Sequence, residues 1–336
     1  MKLTLQIVIS FILLFRATLA APFTQRPPRL ILPRDAVNIA LDERTNEFIA
    51  FKRDWTFLGR YPAYMENRHP VKRTSSSTCT NLTVADAQTL PGWSKIEDYA
   101  DTNWGKGSRN IVTNPADVCV NSNESSSLCA FHTIYCYWYP ASPAFVCTNG
   151  PVDITFSGQP TCQTHNTTLG GELTGTDGSV SISVSQGFNT SSSFTISTTS
   201  SIGVSSTLGV DLSLPEGPGI SASVTMSTEV TNSQTQSFQA SYSDLSTIQL
   251  TMNSPQGKTC NAITSVKSCT LQATGKLQYL ASGYIWFNYD DSTNGHYKWA
   301  AQIESILTDE NDRSSFADFA GPVAADTTVS YKGSCQ

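Results

Sequence analysis

The chain has 336 residues, nine cysteines, and 21 Lys and Arg against 27 Asp and Glu. The acidic excess is concentrated after residue 73: residues 74–336 hold nine Lys and Arg against twenty-one Asp and Glu, a net charge near −12, and no Lys or Arg occurs between Arg109 and Lys258. Phosphate backbones need cationic contacts, so nucleic acid is excluded as a natural partner, and purely electrostatic adhesion to anionic lipid is disfavoured.

Lys2, the apolar run Leu3–Phe15 and the small residues Thr18-Leu19-Ala20-Ala21 read as a secretory signal peptide over 1–20. The run is too short to span a bilayer as a helix. Residues 21–73 then carry ten Lys and Arg, six Asp and Glu, no Cys and no glycosylation sequon. They close on Lys72-Arg73, followed by Thr74-Ser75-Ser76-Ser77, an accessible place to cut. This composition predicts a propeptide removed by a kexin-type protease; the competing reading is a basic arm that stays attached.

All nine cysteines lie beyond residue 73. With a signal peptide they imply an oxidising route, disulfides, and a secreted, extracellular protein. Cys260 and Cys269 bracket a short stretch and are expected to pair, Cys335 is expected to staple the C-terminal end to the body, and an odd total leaves one thiol over. No pair has zinc-finger spacing. Sequons at Asn81, Asn123, Asn166 and Asn189 predict glycans.

Residues 74–165 form a Cys- and aromatic-rich region whose most distinctive stretch holds Tyr135, Tyr137, Trp138 and Tyr139. Alternate aromatics on a strand can present a flat surface to a sugar ring or a bilayer interface; the competing and favoured reading is that they pack against disulfides in a small core. Residues 166–336 read as β throughout, except that Ala300–Leu307 also suits a short helical turn. An aromatic-rich strand is expected over 277–289, with Asn294-Gly295 as a hairpin turn before His296.

Between Val180 and Met252, twenty-three of twenty-four apolar residues occupy even positions, Leu245 being the exception. A period of two marks strands with one apolar face. Folding the chain at Pro215–Gly219 makes an amphipathic hairpin over 192–242, with Leu212 opposite Ala222, Val210 opposite Val224, Leu208 opposite Met226, Val204 opposite Val230, Ile196 opposite Phe238 and Phe194 opposite Ala240. Leu214 and Ile220 flank the turn, and the odd face is almost entirely Ser, Thr and Gly. Thirteen residues per arm, 202–214 and 220–232, exceed what a tilted strand needs to cross a bilayer. The polar residues Ser206, Thr228 and Asn232 interrupt the apolar face. The competing reading is a soluble sheet whose apolar face packs on a second layer.

The Ser/Thr-rich, long-stranded module with its central hairpin resembles the pore-forming module of aerolysin-like β-pore-forming proteins, over about 170–275. The resemblance implies elongated antiparallel sheets beside a disulfide-rich N-terminal region. It also implies a secreted protein that meets a membrane lipid or a cell-surface glycan, forms a homo-oligomer on membranes and inserts a hairpin, here 202–232. Separately, Tyr284–Phe319 resembles small secreted effector-like proteins of fungi. Catalytic motifs are lacking: there is no Gly-X-Ser-X-Gly, no His-Glu-X-X-His and no phosphate loop. Acidic groups such as Asp290/Asp291 and Asp309/Glu310/Asp312 suit solvated turns better than a glycosidase or Ca²⁺ site. No enzyme, cofactor or metal is expected. The alternative function is a non-catalytic effector or a carbohydrate-binding, adhesive β-protein without pore activity.

Overall fold

The computed structural model describes residues 32–45, 47–62, 79–114, 143–172 and 177–336. Short elements come first: β1 (Asn38–Asp42), β2 (Glu47–Phe51), β3 (Phe57–Pro62), β4 (Cys79–Asn81), α1 (Val84–Gln88), α2 (Trp93–Asn103), β5 (Arg109–Val112), β6 (Phe145–Thr148) and β7 (Val152–Asp153). Long strands follow: β8 (Thr155–Glu172), β9 (Gly178–Thr198), β10 (Thr207–Leu214), β11 (Val224–Thr231), β12 (Ser237–Ser254) and β13 (Thr259–Ser282). The chain closes with β14 (Tyr284–Thr293), β15 (His296–Gln302), α3 (Ile303–Ile306), a 3₁₀ turn at Glu310–Arg313 and β16 (Ser314–Cys335). The all-β expectation of long antiparallel strands holds, and the short helical turn falls within Ala300–Leu307. Two helices in the 79–114 stretch are additional. In α2 only Ile96 and Ala100 are buried, too sparse an apolar stripe to stand out as a helical period.

The largest sheet is built on β13, whose 24 residues reach about 80 Å at the usual strand rise. Its order is β12-β9-β16-β13-β6-β4, with β8 also pairing β13. Along β13 the buried positions are Cys260, Ala262 and Thr264, then Cys269, Leu271, Ala273, Leu277, Tyr279 and Ala281. Near the change from even to odd the pairing with β16 slips by one residue: Ser265 opposes Ser330 and Val266 opposes Thr328, so the extra residue of the bulge is Val329 of β16.

The expected 277–289 strand is two strands in different sheets. They part at Gly283, whose φ is 98° and where a Cβ would come within 2.3 Å of the Pro143 carbonyl oxygen, so only glycine fits the switch. Beyond it β14 enters a six-stranded sheet of order β3-β2-β1-β15-β14-β5. Asn294 and Gly295, at φ 49° and 82°, make the expected two-residue turn between β14 and β15.

Strands β1, β2 and β3, inside the segment read as a propeptide, are part of this sheet. Asn38, Ile39 and Ala40 pair with Ala301, Ala300 and Trp299 of β15, and Ile39, Ala40, Phe48 and Ala50 are wholly buried. Trp104 stacks on Trp299 with ring centroids 5.6 Å apart, which seats α2 on one face of the sheet.

The cysteine expectation is corrected. Cys260 pairs with Cys335 and Cys269 with Cys162, while Cys79 pairs with Cys147. Cys260 and Cys269 lie nine residues apart on one extended strand, about 30 Å at the usual rise, out of reach of each other. The Cys260–Cys335 bond does staple the C-terminal strand to the body.

A candidate membrane-insertion hairpin

Strands β10 and β11 form a separate three-stranded sheet with β7. Their register is Leu208↔Val230, Val210↔Thr228, Leu212↔Met226 and Leu214↔Val224. Each partner is displaced by four residues from the expected one, so Leu212 faces Met226 rather than Ala222. The cause lies in the tip. Pro215 and Pro218 cannot donate to a ladder, and the turn closes instead on a bridge between Gly217 and Ile220. The connection therefore spans 215–223. Because the displacement is even, the apolar residues keep one face.

The expected continuous hairpin over 192–242 is also interrupted. The outer pair, β9 with β12, aligns Phe194 with Phe238 and Ser192 with Ala240, two residues from the expected register. Segments 199–206 and 232–236 bridge the two ladders and are unequal in length, which breaks the pairing. Phe194, Phe238 and Phe319 form a triangle of rings with centroids 5.1 to 5.5 Å apart.

The apolar face of the inner hairpin is turned into the protein core. Leu208, Val210, Leu212, Leu214, Ile220, Val224, Met226 and Val230 are all buried, whereas Val204 is 53% exposed. Val204 sits between Gly203 and Ser205, both at positive φ, and does not oppose Val230. The tip lies on the long sheet: Gly217 approaches the Phe156 ring, Gly219 approaches Ala325 and Cys269, and the Thr327 hydroxyl donates to the Gly219 carbonyl. In ladder terms the attachment is slight. Leu212 and Ser213 pair in parallel with Val152 and Asp153, and the Ile154 N–H donates to the Ser213 carbonyl at 2.9 Å. The opposite face carries hydroxyls, with Thr207 and Thr231 bonded at 2.8 Å and the Ser227 Oγ donating to Asp211 at 2.6 Å.

Two of the polar residues on the apolar face have their side chains satisfied. Thr228 donates to the Gln239 carbonyl of β12 at 2.7 Å. Asn232 is wholly buried; its carbonyl oxygen accepts from the Ser200 N–H and its amide donates to the Ser200 and Ile202 carbonyls. The same connection is held from α1, where Asp86 accepts from the Gly203 N–H at 3.0 Å and Thr89 donates to the Ser201 carbonyl at 3.2 Å. Sequence reasoning did not find the roles of Asp86 and Thr89, and it met Asn232 only as an interruption of an apolar pattern.

Other expected site residues are dispersed. Tyr135, Tyr137, Trp138 and Tyr139, the Lys72-Arg73 pair and Asn123 lie outside the described residues. Asn81 and Asn166 are exposed and Asn189 is half-buried in β9. Asp309 caps the 3₁₀ turn by accepting from the Asn311 N–H, and Asp312 pairs with Lys95. Among the described residues no group of three His, Cys, Asp or Glu is placed to hold a metal.

Neither a protein-family model nor a curated protein matches the chain. Among solved structures it is similar to parasporin-2, a Bacillus thuringiensis toxin that recognizes cancer cells, at 14% identity over 77% of this chain and 98% of that one, with a TM-score of 0.35. It is similar to a non-toxic crystal protein from Bacillus thuringiensis at 11% identity over 58% and 84% of the two chains, TM-score 0.33. It is also similar to the Mpp75Aa1.1 β-pore-forming protein from Brevibacillus laterosporus at 16% identity over 57% and 69%, TM-score 0.29. Matches at these identities and TM-scores say nothing of activity.

Proposed function

We propose that this is a secreted β-pore-forming protein that binds a cell surface, oligomerises and inserts the hairpin 202–232, after cleavage at Lys72-Arg73. One observation carries the reading: a hairpin with one apolar and one hydroxyl face is docked apolar side inward and joined to the neighbouring strand by two residue pairs. Withdrawing it breaks few main-chain bonds. Its apolar side chains exchange protein core for lipid, at little net cost in hydrophobic burial, while the Ser/Thr face meets a watery lumen. Single copies cannot complete this step, because open strand edges are unsatisfied in lipid; a ring of copies closes them.

The test is dye release by the full secreted chain, before and after Lys72-Arg73 cleavage. The vesicles are phosphatidylcholine–cholesterol, with and without mixed glycosphingolipids. A cysteine pair at Ser213 and Asp153, which are parallel ladder partners at a spacing that suits a disulfide, ties the hairpin to β7. The expected result is release and detergent-resistant oligomers for the parent chain, loss of release in the tethered form, and recovery in mild reductant. Release by the tethered protein at the parent rate rejects insertion of this hairpin.

A further inference from the structure

Resting on the insertion reading above, we infer that the pore selects cations, with Asp211 and Glu229 as the residues that set its selectivity. Among the residues of 202–232 there are three carboxylates, Asp211, Glu216 and Glu229, and no Lys or Arg. Glu216 lies in the tip, outside the ladder, and is itself exposed. Asp211 and Glu229 both lie on the hydroxyl face: Asp211 opposes Ser227 and Glu229 opposes Gly209, so the two carboxylates occupy successive same-face rows of the hairpin. Their neighbours on that face, Thr207, Ser213, Thr225 and Thr231, are neutral.

A ring of identical hairpins repeats this face once per copy. Every copy adds two lumen carboxylates and no compensating ammonium or guanidinium, since the chain has none between Arg109 and Lys258. Rings of fixed carboxylates raise the local concentration of cations and deplete anions, which is how charged-ring filters discriminate. Hydroxyl rows supply water-like hydrogen bonding and no charge selection. The sign of the selectivity therefore follows from two side chains per subunit.

The experiment is the reversal potential of channels formed by the full secreted chain in planar bilayers across a KCl gradient. The dilute side is kept near 0.1 M, where the screening length is about 10 Å. The parent channel is expected to pass K⁺ in preference to Cl⁻, and D211N/E229Q to bring the permeability ratio to about one. The single variants D211N and E229Q, each expected to lower the ratio in part, serve if the double variant does not fold; E216Q at the tip is the comparison with a carboxylate off the ladder. Channels from the parent chain with a ratio at or below one overturn the inference and leave the pore reading standing. A selective parent whose ratio survives both substitutions overturns the assignment to Asp211 and Glu229. Absence of channels on every membrane overturns the pore reading and the selectivity with it.

Discussion

Asn232 clasps Ser200 from both sides: its side-chain oxygen accepts from the Ser200 N–H at 3.0 Å and its amide donates to the Ser200 carbonyl at 3.1 Å. Both residues are buried, and together they hold the crossing between the outer β9–β12 ladder and the inner β10–β11 ladder. N232A strands the Ser200 N–H and the Ser200 carbonyl in a dry site, while the Ile202 carbonyl still accepts from the Ser200 hydroxyl at 2.9 Å. Each unsatisfied group carries a desolvation penalty, and the variant is expected to cost about 2 kcal/mol or more. N232D keeps the acceptor, removes the donor and turns a charge toward two carbonyls, so it should be no better. Urea unfolding of both variants measures the loss. If the crossing is what the hairpin must release, N232A also shortens the lag of vesicle leakage; an unchanged lag with reduced stability would separate the fold from the insertion step.

The strands within 32–62 bear on what cleavage does. Tyr284 donates to the Ala36 carbonyl at 2.6 Å, Tyr99 to the Asn38 side chain at 2.9 Å, and Arg53 to the Ser305 carbonyl at 2.8 Å. Ile39, Leu41 and Phe48 are buried, each worth about 1.5–3 kcal/mol on burial. That is a large share of the roughly 5–15 kcal/mol that stabilises a typical domain. Cutting at Lys72-Arg73 should therefore leave the N-terminal fragment bound under native conditions. The fragment should separate in denaturant without reductant, because residues 21–73 hold no cysteine. A chain that starts at residue 74 should fail to fold stably. Native gel filtration of the cut protein decides it: a free fragment would show that these strands are dispensable.

Much of the fold was legible because side-chain period survives folding. The even-position face of 180–252 became the buried face of β9, β10, β11 and β12, and Asn294-Gly295 became the expected turn. Register was not legible. Every even displacement of one arm keeps apolar opposite apolar, so alternation determines the parity of the pairing and leaves its offset to the tip. Pro215 and Pro218 settled that offset by enlarging the loop. The cysteine partners were hidden for a related reason: nearness in sequence means distance along a strand, and only the register of β13 with β8 and β16 brings Cys269 to Cys162 and Cys260 to Cys335. The contacts of Asp86 and Thr89 with the 199–206 connection depend on tertiary packing that no local pattern announces.

The Cys162–Cys269 bond joins β8 to β13 beneath the hairpin tip, with Gly219 beside Cys269. It closes a separation of 107 residues, for which chain-entropy arguments give about 4–5 kcal/mol and measured losses on removing a native bond are about 2–5. C162A/C269A should lower the urea midpoint accordingly. Since the tip rests on this part of the sheet, the variant should also make 215–223 more open to limited proteolysis. Protection of the tip at parent level in the variant would mean that the disulfide supports the sheet alone.

Tyr279 lies under the same crossing, its ring beside Gly203. It is wholly buried and its hydroxyl has no hydrogen-bond partner among the described residues. Burial pushes the phenol up from 10.0 to about 12. An unsatisfied buried hydroxyl is a cost, so Y279F should be neutral or stabilising by about 1 kcal/mol at neutral pH. The sign of the alkaline effect follows from the protons held. Between pH 10 and 12 the unfolded phenol has lost its proton while the native one keeps it. Stability that is fully present below pH 10 therefore drains away as pH rises toward 12, by up to about 3 kcal/mol from this group. Tyr284, also raised by burial, adds to the loss, so Y279F should flatten the decline without abolishing it. Urea titrations at pH 9 and pH 11 measure the slope, and a destabilised Y279F at pH 7 would show that the hydroxyl has a partner in solution.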